Sequence, residues 1–318
     1  MRTILLAATI LAATPVAAET IYVSNERANT ISVIDGASLK TIATWPVGRR
    51  PRGILVSRDG TQLYVCASDE NAVQVIDRVT GKVVADLPSG EDPETFALSP
   101  DGTLLFASNE RDAAVTAIDV PGRKVAFQVV VGVEPEGMAV SPDGRFAVST
   151  SETDNAVHWI EIASRKVVGE TATGERPRHA EFTADGKQLW VSAELGNSVE
   201  VIDVASRKVI DTLRFEVPGI QPDKVMPVQI RFTPDRRLAV IALGRGNAVA
   251  IVDATTRKVE RVVPVGPRVW GVAITPDGRR AISANGLADT VSVVDLATGA
   301  VTATVPVGRA PWGVAVAP

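Results

Sequence analysis

A 13-residue phrase recurs along the chain at nearly constant spacing, and this repeat restricts the fold more than any other feature. The phrase "GVEPEGMAVSPDG" begins at Gly132, and "GEDPETFALSPDG" and "GPRVWGVAITPDG" begin at Gly90 and Gly266. An acidic residue that ends a β-like run also recurs in steps of 42, 42, 42, 42, 50 and 42 residues: Asp35, Asp77, Asp119, Glu161, Asp203, Asp253 and Asp295. A fixed period near 42 residues indicates a repeat architecture.

Each copy contains four short segments with the character of β-strands. In one copy these are "LLFASN", "AVTAID", "KVAFQVVV" and "GMAVS", which are rich in Val, Ile and Ala and partly alternating. "SPDG" supplies the proline and the glycine of a tight turn. Four strands at this period are typical of a propeller blade. A solenoid is the structural alternative, although its units are usually shorter and its ends need polar caps.

The two ends of the repeat favour a closed ring. The segment "TIYVSN" from Thr20 matches the second strand of a unit, whereas "WGVAVAP" at the other end matches a first strand. Pairing the two would remove both exposed sheet edges. We therefore predict an all-β, seven-bladed propeller of four-stranded blades, in which residues 312–317 complete the blade begun by residues 20–47.

The N-terminal segment has the features of a secretory signal. A basic residue precedes a short apolar run from Ile4 to Thr14, and small residues follow it. We predict a cleaved signal peptide over residues 1–18 and a single periplasmic propeller domain over residues 19–318. An uncleaved anchor and a buried first strand are the alternatives. The run is short for a bilayer span, no later stretch is long enough, and the run lacks strand-like alternation.

Charge and cysteine content narrow the function classes. The formal net charge is −4, which argues against nucleic-acid binding because such binding relies on a broad positive field. Cys66 is the only cysteine, so the chain cannot form an internal disulfide. Other copies carry Ser or Thr at the position of Cys66, which indicates a small strand residue. A reactive thiol is the alternative, but no His or Lys lies nearby in sequence.

Several segments resemble a known family. "IYVSN", "VSVIDGASLK", "PVGRRPRG" and "SPDG" resemble the YVTN-type β-propeller repeat over the whole chain after the signal. More narrowly, "YVCASDENAVQVID", "RPRHAEFTADGKQLWVSAE" and "FEVPGIQPDKVMPVQIRFTPD" resemble the PQQ-dependent catabolism-associated β-propeller proteins. This resemblance implies a bacterial periplasmic protein that works alongside pyrroloquinoline-quinone-dependent alcohol or aldehyde oxidation. It implies a partner in a quinoprotein dehydrogenase system, and it brings no catalytic residues.

The residue after the repeated proline differs from copy to copy, and the antiparallel alternation places it at the mouth of the central channel in every blade. Taken together, these positions form a column of seven residues: Arg52, Glu94, Glu136, Arg178, Val228, Trp270 and Trp312. The next position carries a polar side chain in two copies, His179 after Arg178 and Gln229 after Val228. Indole faces, guanidinium groups, imidazole and amide could together bind a planar anionic aromatic molecule, such as a quinone carboxylate. The alternative is that neighbouring Arg and Glu side chains pair and the indoles plug the channel.

A second column, at the end of the second strand of each blade, is rich in carboxylates. It contains Glu26, Ser68, Glu110, Glu152, Glu194, Gly244 and Gly286. We predict salt bridges to Arg50 and Arg176 rather than a cation site, because neighbouring blades would hold these carboxylates apart. With two histidines, no second cysteine and no recognisable catalytic motif, the chain is predicted to have no metal site, no cofactor and no catalytic residues.

The single step of 50 residues places an insertion at 215–226, where two prolines and a glycine predict a loop. The loop is either a recognition element or a tolerated surface insertion. The first functional hypothesis is a non-catalytic periplasmic binding or scaffold protein associated with PQQ-dependent catabolism. The alternatives are a small-molecule binder at the channel mouth, a hydrolase or lactonase, because related propellers include such enzymes, and a weak nucleic-acid binder.

Overall fold

A computed structural model describes residues 19–318, and the predicted signal segment 1–18 lies outside the described residues. The described chain forms 28 strands in seven antiparallel sheets of four strands each. The first strands of neighbouring sheets contact one another in a closed circle around a central channel. The predicted seven-bladed propeller is therefore confirmed.

The strand bounds repeat from blade to blade. Blade 1 contains β28 (Pro311–Ala317), β1 (Thr20–Asn25), β2 (Thr30–Asp35) and β3 (Lys40–Pro46). Blade 2 contains β4 (Pro51–Val56), β5 (Gln62–Ala67), β6 (Ala72–Asp77) and β7 (Val83–Pro88). Blade 3 contains β8 (Pro93–Leu98), β9 (Leu104–Asn109), β10 (Ala114–Asp119) and β11 (Lys124–Val130). Blade 4 contains β12 (Pro135–Val140), β13 (Phe146–Ser151), β14 (Ala156–Glu161) and β15 (Lys166–Ala172).

The remaining blades have the same order. Blade 5 contains β16 (Pro177–Phe182), β17 (Gln188–Ala193), β18 (Ser198–Asp203) and β19 (Lys208–Arg214). Blade 6 contains β20 (Pro227–Phe232), β21 (Leu238–Leu243), β22 (Ala248–Asp253) and β23 (Val259–Pro264). Blade 7 contains β24 (Val269–Ile274), β25 (Arg280–Asn285), β26 (Thr290–Asp295) and β27 (Val301–Pro306). Single 3₁₀ turns occur at Ser68–Glu70 and Pro222–Lys224.

The ring closes between the two ends of the described chain. Strand β28 pairs with β1 in antiparallel register, with Thr20 opposite Ala317 and Tyr22 opposite Ala315. The Oγ of Ser24 accepts a hydrogen bond from the N–H of Gly313, so side chains also join the two strands. This pairing places residues 312–317 in the blade begun by residues 20–47, as predicted.

The recurring acidic residue is explained by the turn that follows it. The Asp77 carboxylate accepts the N–H groups of Val79 and Thr80 together with the Thr80 hydroxyl. These hydrogen bonds stabilise the ionised form and lower the pKa of Asp77. The same Asp-centred turn forms at Asp203, Asp253 and Asp295, where it connects the third and fourth strands of blades 5, 6 and 7.

Apolar side chains pack between neighbouring blades. The aromatic rings of Phe146, Trp159 and Phe182 meet edge to face across blades 4 and 5. Because each blade buries one sheet face against the next, the core is divided into seven similar layers and surrounds a channel. Within residues 19–318, no helix has the length and apolar composition to cross a membrane.

The insertion 215–226 connects β19 to β20 and is a loop, as predicted. Its two ends are anchored, because Phe215, Val217 and Val225 are buried in the cluster around Trp190 and Ile230. Its middle, residues 218–224, is largely exposed. The loop is therefore a packed extension of the core that presents a short tip to solvent.

Candidate functional site

The residues that follow the repeated proline meet at one end of the channel, as the column comparison predicts. Most of them are buried, including the charged ones: Arg52 is partly buried, Trp270 is half-buried, and Glu94, Glu136, Arg178, Val228 and Trp312 are buried. These seven side chains fill this end of the channel, and we call the end that they occupy the closed end.

Arg178 is paired with three carboxylates, which come from blades 4 and 5. Its Nη2 lies 2.9 Å from Oε1 of Glu136, and its Nη1 donates to Glu152. Its Nε lies 3.6 Å from Oε2 of Glu194, whose other oxygen lies 2.8 Å from Nη2 of Arg268. All five side chains are at least nine-tenths buried. The Glu136–Arg178 pairing, which was the alternative to ligand binding, is therefore present and is shielded from water.

A second group of pairs surrounds Glu94. Arg52 donates to Glu94, and Nη2 of Arg50 lies 2.5 Å from Oε1 of the same carboxyl group. Arg52 also lies 3.1 Å from Glu26, and Arg50 lies 3.8 Å from Glu110. With the Arg176–Glu152 contact of 2.6 Å, the salt bridges predicted for the carboxylate column are confirmed.

Both indoles of the closed end are covered by guanidinium groups. The Cζ of Arg268 lies 3.7 Å from the ring centroid of Trp270, and that of Arg178 lies 5.5 Å from the same centroid. The Cζ of Arg52 lies 5.8 Å from the centroid of Trp312. The protein's own cations therefore occupy positions at which a planar ligand was predicted to stack.

Burial controls ionisation at the closed end. Complete desolvation raises the pKa of Glu94 to about 8 and raises that of Glu136 well above its ordinary range. Burial acts to lower the pKa of Arg52, but the nearby carboxylates outweigh it and raise that pKa. The pKa values of both paired groups can be raised because their surroundings differ. Several carboxylates stabilise the charged form of Arg52, whereas Glu94 is buried beside another carboxyl group, that of Glu110.

Three carboxyl groups converge beside the closed end, which the column comparison did not predict. Ligand oxygens of Asp92, Glu94 and Glu110 all lie within 4.8 Å of one another, close enough to hold a cation. However, Arg50 contacts both Asp92, at 3.0 Å, and Glu94. A guanidinium group therefore already supplies positive charge to this cluster.

A cavity of about 890 Å³ occupies the rest of the channel. It extends from the level of His179 and Gln229 to the exposed turns that follow the inner strands, where Arg58 and Arg236 line its entrance. Many of the side chains that line it are apolar, and they include Ile54, Leu55, Val56, Phe96, Ala97, Leu98, Met138, Ala139, Val140, Ala180, Phe182, Trp312, Val314 and Val316. Its volume lies within the usual range for small-molecule sites.

Two charged side chains and a histidine form a polar group on the inner strands that line this cavity. Nη1 of Arg231 lies 2.6 Å from Oε2 of Glu181 and 2.9 Å from Nε2 of His179. Glu181 and His179 lie on β16, and Arg231 lies on the neighbouring strand β20. Because the repeat places equivalent positions of adjacent inner strands side by side, the fold brings the three together.

The hydrogen-bond pattern fixes the state of His179. An arginine nitrogen only donates, so Nε2 of His179 accepts and its proton resides on Nδ1. Burial and the charge of Arg231 lower the pKa of His179 well below 6.5, so the ring is neutral. Its Nδ1 is buried and has no hydrogen-bond partner among the described residues, and the same is true of Nε1 of Trp312.

The predicted site residues thus divide into two groups. His179, Gln229 and Trp312 line the cavity, whereas Arg52, Glu94, Glu136, Arg178 and Trp270 belong to the ion-pair network of the closed end. The amide oxygen of Gln229 accepts the N–H of Val272 at 2.6 Å, so part of its hydrogen-bonding capacity is already used. A binding role for these eight residues stays a prediction.

Glu181 and Arg231 are not among the predicted site residues, although the repeat contains a signal for them. Three residues beyond the first column, the inner strands carry Leu55, Ala97, Ala139, Glu181, Arg231, Ala273 and Ala315. Five of these side chains are aliphatic and two are charged. A column of small apolar residues with two adjacent charges indicates a local polar site, and the same comparison applied here would have found it.

Two family models match the chain. Residues 138–318 match the model described as "Lactonase, 7-bladed beta-propeller", which covers more than half of the chain. The chain belongs to this lactonase family. Residues 8–98 match a second model, described as a YNCE-like β-propeller, in agreement with the YVTN-type repeat. No curated protein matches this member of the lactonase family.

Solved structures share the fold of this lactonase-family chain at low identity. The periplasmic gluconolactonase PpgL of Pseudomonas aeruginosa is 20% identical, with a TM-score of 0.77, over 95% of this chain and 99% of that chain. A functionally unknown protein from Desulfotomaculum acetoxidans is 15% identical, with a TM-score of 0.80, over 94% and 98%. Hydrazine synthase of Kuenenia stuttgartiensis is 23% identical, with a TM-score of 0.73, over 83% and 89%. At these identities the likeness shows the fold alone.

Proposed function

We propose that the protein is a small-molecule binder whose ligand occupies the central cavity and bonds to Arg231. The observation that carries this proposal is the polar group His179–Glu181–Arg231, which contains the only two charged side chains that the described inner strands contribute to the cavity wall. A charged pair in such a wall costs desolvation energy and stabilises a fold poorly. A ligand-binding role accounts for its position in the cavity.

Arg231 has donors available for a ligand. Its Nη1 contacts both His179 and Glu181, whereas its Nη2 and Nε have no hydrogen-bond partner among residues 19–318. The side chain is 31% exposed, and its exposed part faces the cavity that it lines. Glu181 and His179 hold the guanidinium in place from one side, so a carbonyl or carboxylate oxygen would meet a preorganised donor.

Equilibrium dialysis against a small-molecule extract of the source cells, read by mass spectrometry, tests this function. Wild type should retain one or more compounds that Ala97→Phe, which narrows the cavity, and Arg231→Met both release. Arg237→Met is the matched control, because Arg237 is exposed in the turn after β20 and does not line the cavity. Identical retention by wild type and Ala97→Phe would contradict the proposal.

Lactone hydrolysis is a second candidate function, favoured by the family model and by the Glu181–Arg231 pair. In this reaction Arg231 would polarise the lactone carbonyl, and Glu181 would accept a proton from the attacking water. The new bond would join the water oxygen to the carbonyl carbon. The ring C–O bond would then break, and its oxygen would take the proton from Glu181 to give a hydroxy acid.

A pH-stat assay with a gluconolactone tests the second candidate against the spontaneous rate. If the protein is a lactonase, Glu181→Gln should lower the catalysed rate by at least about 100-fold, the usual contribution of a general base. Glu216→Gln is the matched control, since Glu216 is exposed in the insertion. Retained hydrolysis in Glu181→Gln would exclude Glu181 as the base, and no rate above background would leave binding as the function.

The periplasmic location and the association with quinoprotein oxidation are proposed on the sequence resemblance alone. In this role the protein would act as a non-catalytic scaffold, and the exposed tip of the insertion would contact the partner. Immobilised protein should capture a quinoprotein dehydrogenase from periplasmic extract, and the exposed pair Asp223–Lys224 should contribute to capture. The double alanine variant at Asp185 and Lys187, an exposed pair elsewhere, is the control. Capture of no dehydrogenase would contradict the association.

A further inference from the structure

We infer that the cavity binds an amphipathic monocarboxylate: one carboxylate on Arg231, and an uncharged apolar body against the opposite wall. This inference rests on the proposed binding function and specifies its ligand class. It depends on three features of the described residues, namely the charge of the cavity, the position of its apolar wall and the composition of its closed end.

The charged side chains that line the cavity leave an excess of one positive charge. They are Arg58, Arg231 and Arg236 against Asp59 and Glu181. Asp59 already accepts hydrogen bonds from Ser57 and Thr61, and Glu181 is paired with Arg231. Arg231 is the cavity-lining cation on the inner strands, and its Nη2 and Nε, which have no hydrogen-bond partner among residues 19–318, match one carboxylate on the ligand. The two arginines at the entrance would also favour the approach of an anion.

The apolar wall lies across the channel from the polar group. Glu181 and Arg231 are on the adjacent inner strands β16 and β20, and the strand farthest from both around the ring is β4. That strand contributes Leu55, and its neighbour β8 contributes Phe96. A ligand that reaches from Arg231 across the channel therefore meets aliphatic and aromatic side chains. An apolar body buried there is stabilised in proportion to its area.

The distribution of charge disfavours a second anionic group on the ligand. A second carboxylate directed toward Leu55 would be desolvated without a cationic partner, which is costly. One directed toward the closed end would approach guanidinium groups, those of Arg52 and Arg178, that are already paired with carboxyl groups of the protein. The geometry thus discriminates between monocarboxylates and dicarboxylates of the same length.

Isothermal titration calorimetry with three probes of equal chain length tests the ligand class. The probes are octanoate, octanamide and octanedioate, which differ at their ends by one charge each. Wild type should bind octanoate at least about tenfold more tightly than the other two, as expected for one charge-assisted hydrogen-bonded pair. Arg231→Met should remove the preference for octanoate over octanamide, whereas Arg237→Met should keep it.

Each outcome supports or overturns the inference. Equal or tighter binding of octanamide or octanedioate, a preference that survives Arg231→Met, or no binding of octanoate at millimolar concentration would each overturn it. The dialysis experiment separates this failure from failure of the proposed function. If compounds are still retained and Ala97→Phe releases them, the cavity binds a ligand of another class. If no compound is retained, both the proposed binding function and the inferred ligand class are wrong.

Discussion

Arg178 and Glu136 lie on neighbouring inner strands with Nη2 and Oε1 2.9 Å apart, and both side chains are buried. The pair belongs to a network that joins blades around the closed end of the channel. In a propeller each blade contacts only its two neighbours through the core, so a buried network shared by several blades adds constraints across the ring. The cavity opens at the other end of the channel, among the turns that carry Arg58 and Arg236.

The first prediction concerns this network. Arg178→Met should lower the free energy of unfolding by about 3–5 kcal/mol, because it leaves the buried carboxyl group of Glu136 without its guanidinium partner and removes one of the two partners of Glu152. Urea denaturation measures the change. Arg49→Met is the control, because the Arg49–Glu70 pair is largely exposed and its loss should cost less than about 1 kcal/mol. Equal effects of the two substitutions would show that the network contributes little.

The second prediction concerns pH. Since the pKa of Glu94 is raised to about 8 in the folded protein from an ordinary value of 4.5, the folded state holds a proton that the unfolded chain releases. The resulting stability is fully present below the unfolded pKa and is lost as the pH rises through the folded pKa. The free energy of unfolding should therefore fall between about pH 5 and about pH 8.

Urea denaturation across this pH range checks the second prediction, with Glu94→Gln as the comparison. Glutamine keeps the shape of the protonated carboxyl group but does not titrate. Its stability should therefore depend less on pH than that of wild type. A wild-type stability that rises over the same range would mean that Arg50 and Arg52 keep Glu94 ionised.

Comparison of equivalent positions in the repeat predicts the ring, its closure and the residues that meet at the closed end. It does not predict which end of the channel is filled. The sequence alone does not distinguish an exposed ion pair between Arg52 and Glu94 from a buried one. Burial depends on how far seven side chains reach across the channel, and that is a property of all blades together. Glu181 and Arg231 were not predicted for a different reason, since neither lies in the column after the proline, in the next position or in the carboxylate column at the end of the second strand.

The third prediction concerns Cys66. The thiol is buried in β5, as predicted for a small strand residue, and burial raises its pKa well above 9.0. A thiol reagent should therefore not react with the folded protein but should react fully in denaturant. Cys66→Ser should be tolerated, because Ser24 and Ser108 at equivalent positions bond to carbonyl groups of the next blade. Rapid labelling of the folded protein would contradict this.

The fourth prediction concerns ring closure. Removing Pro311–Pro318 deletes β28 and exposes the edge of β1 to solvent. The shortened protein should lose cooperative unfolding and aggregate, because an open ring presents unpaired strand edges. Circular dichroism during denaturation and light scattering check this. Removal of Pro318 alone is the control, since that residue follows the last strand. A soluble, cooperatively folded protein without β28 would show that closure is dispensable.

The last prediction distinguishes the anchors of the insertion from its tip. Phe215 is buried in the cluster with Trp190 and Ile230, so Phe215→Ala should lower the free energy of unfolding by about 3–5 kcal/mol. Gln221 is exposed, so Gln221→Ala should change it by less than about 0.5 kcal/mol. Urea denaturation compares the two. If Phe215→Ala is as mild as Gln221→Ala, the insertion is not part of the core. If the difference is observed, deleting the whole loop would destabilise the propeller, and only substitutions at the tip can test a role in partner binding.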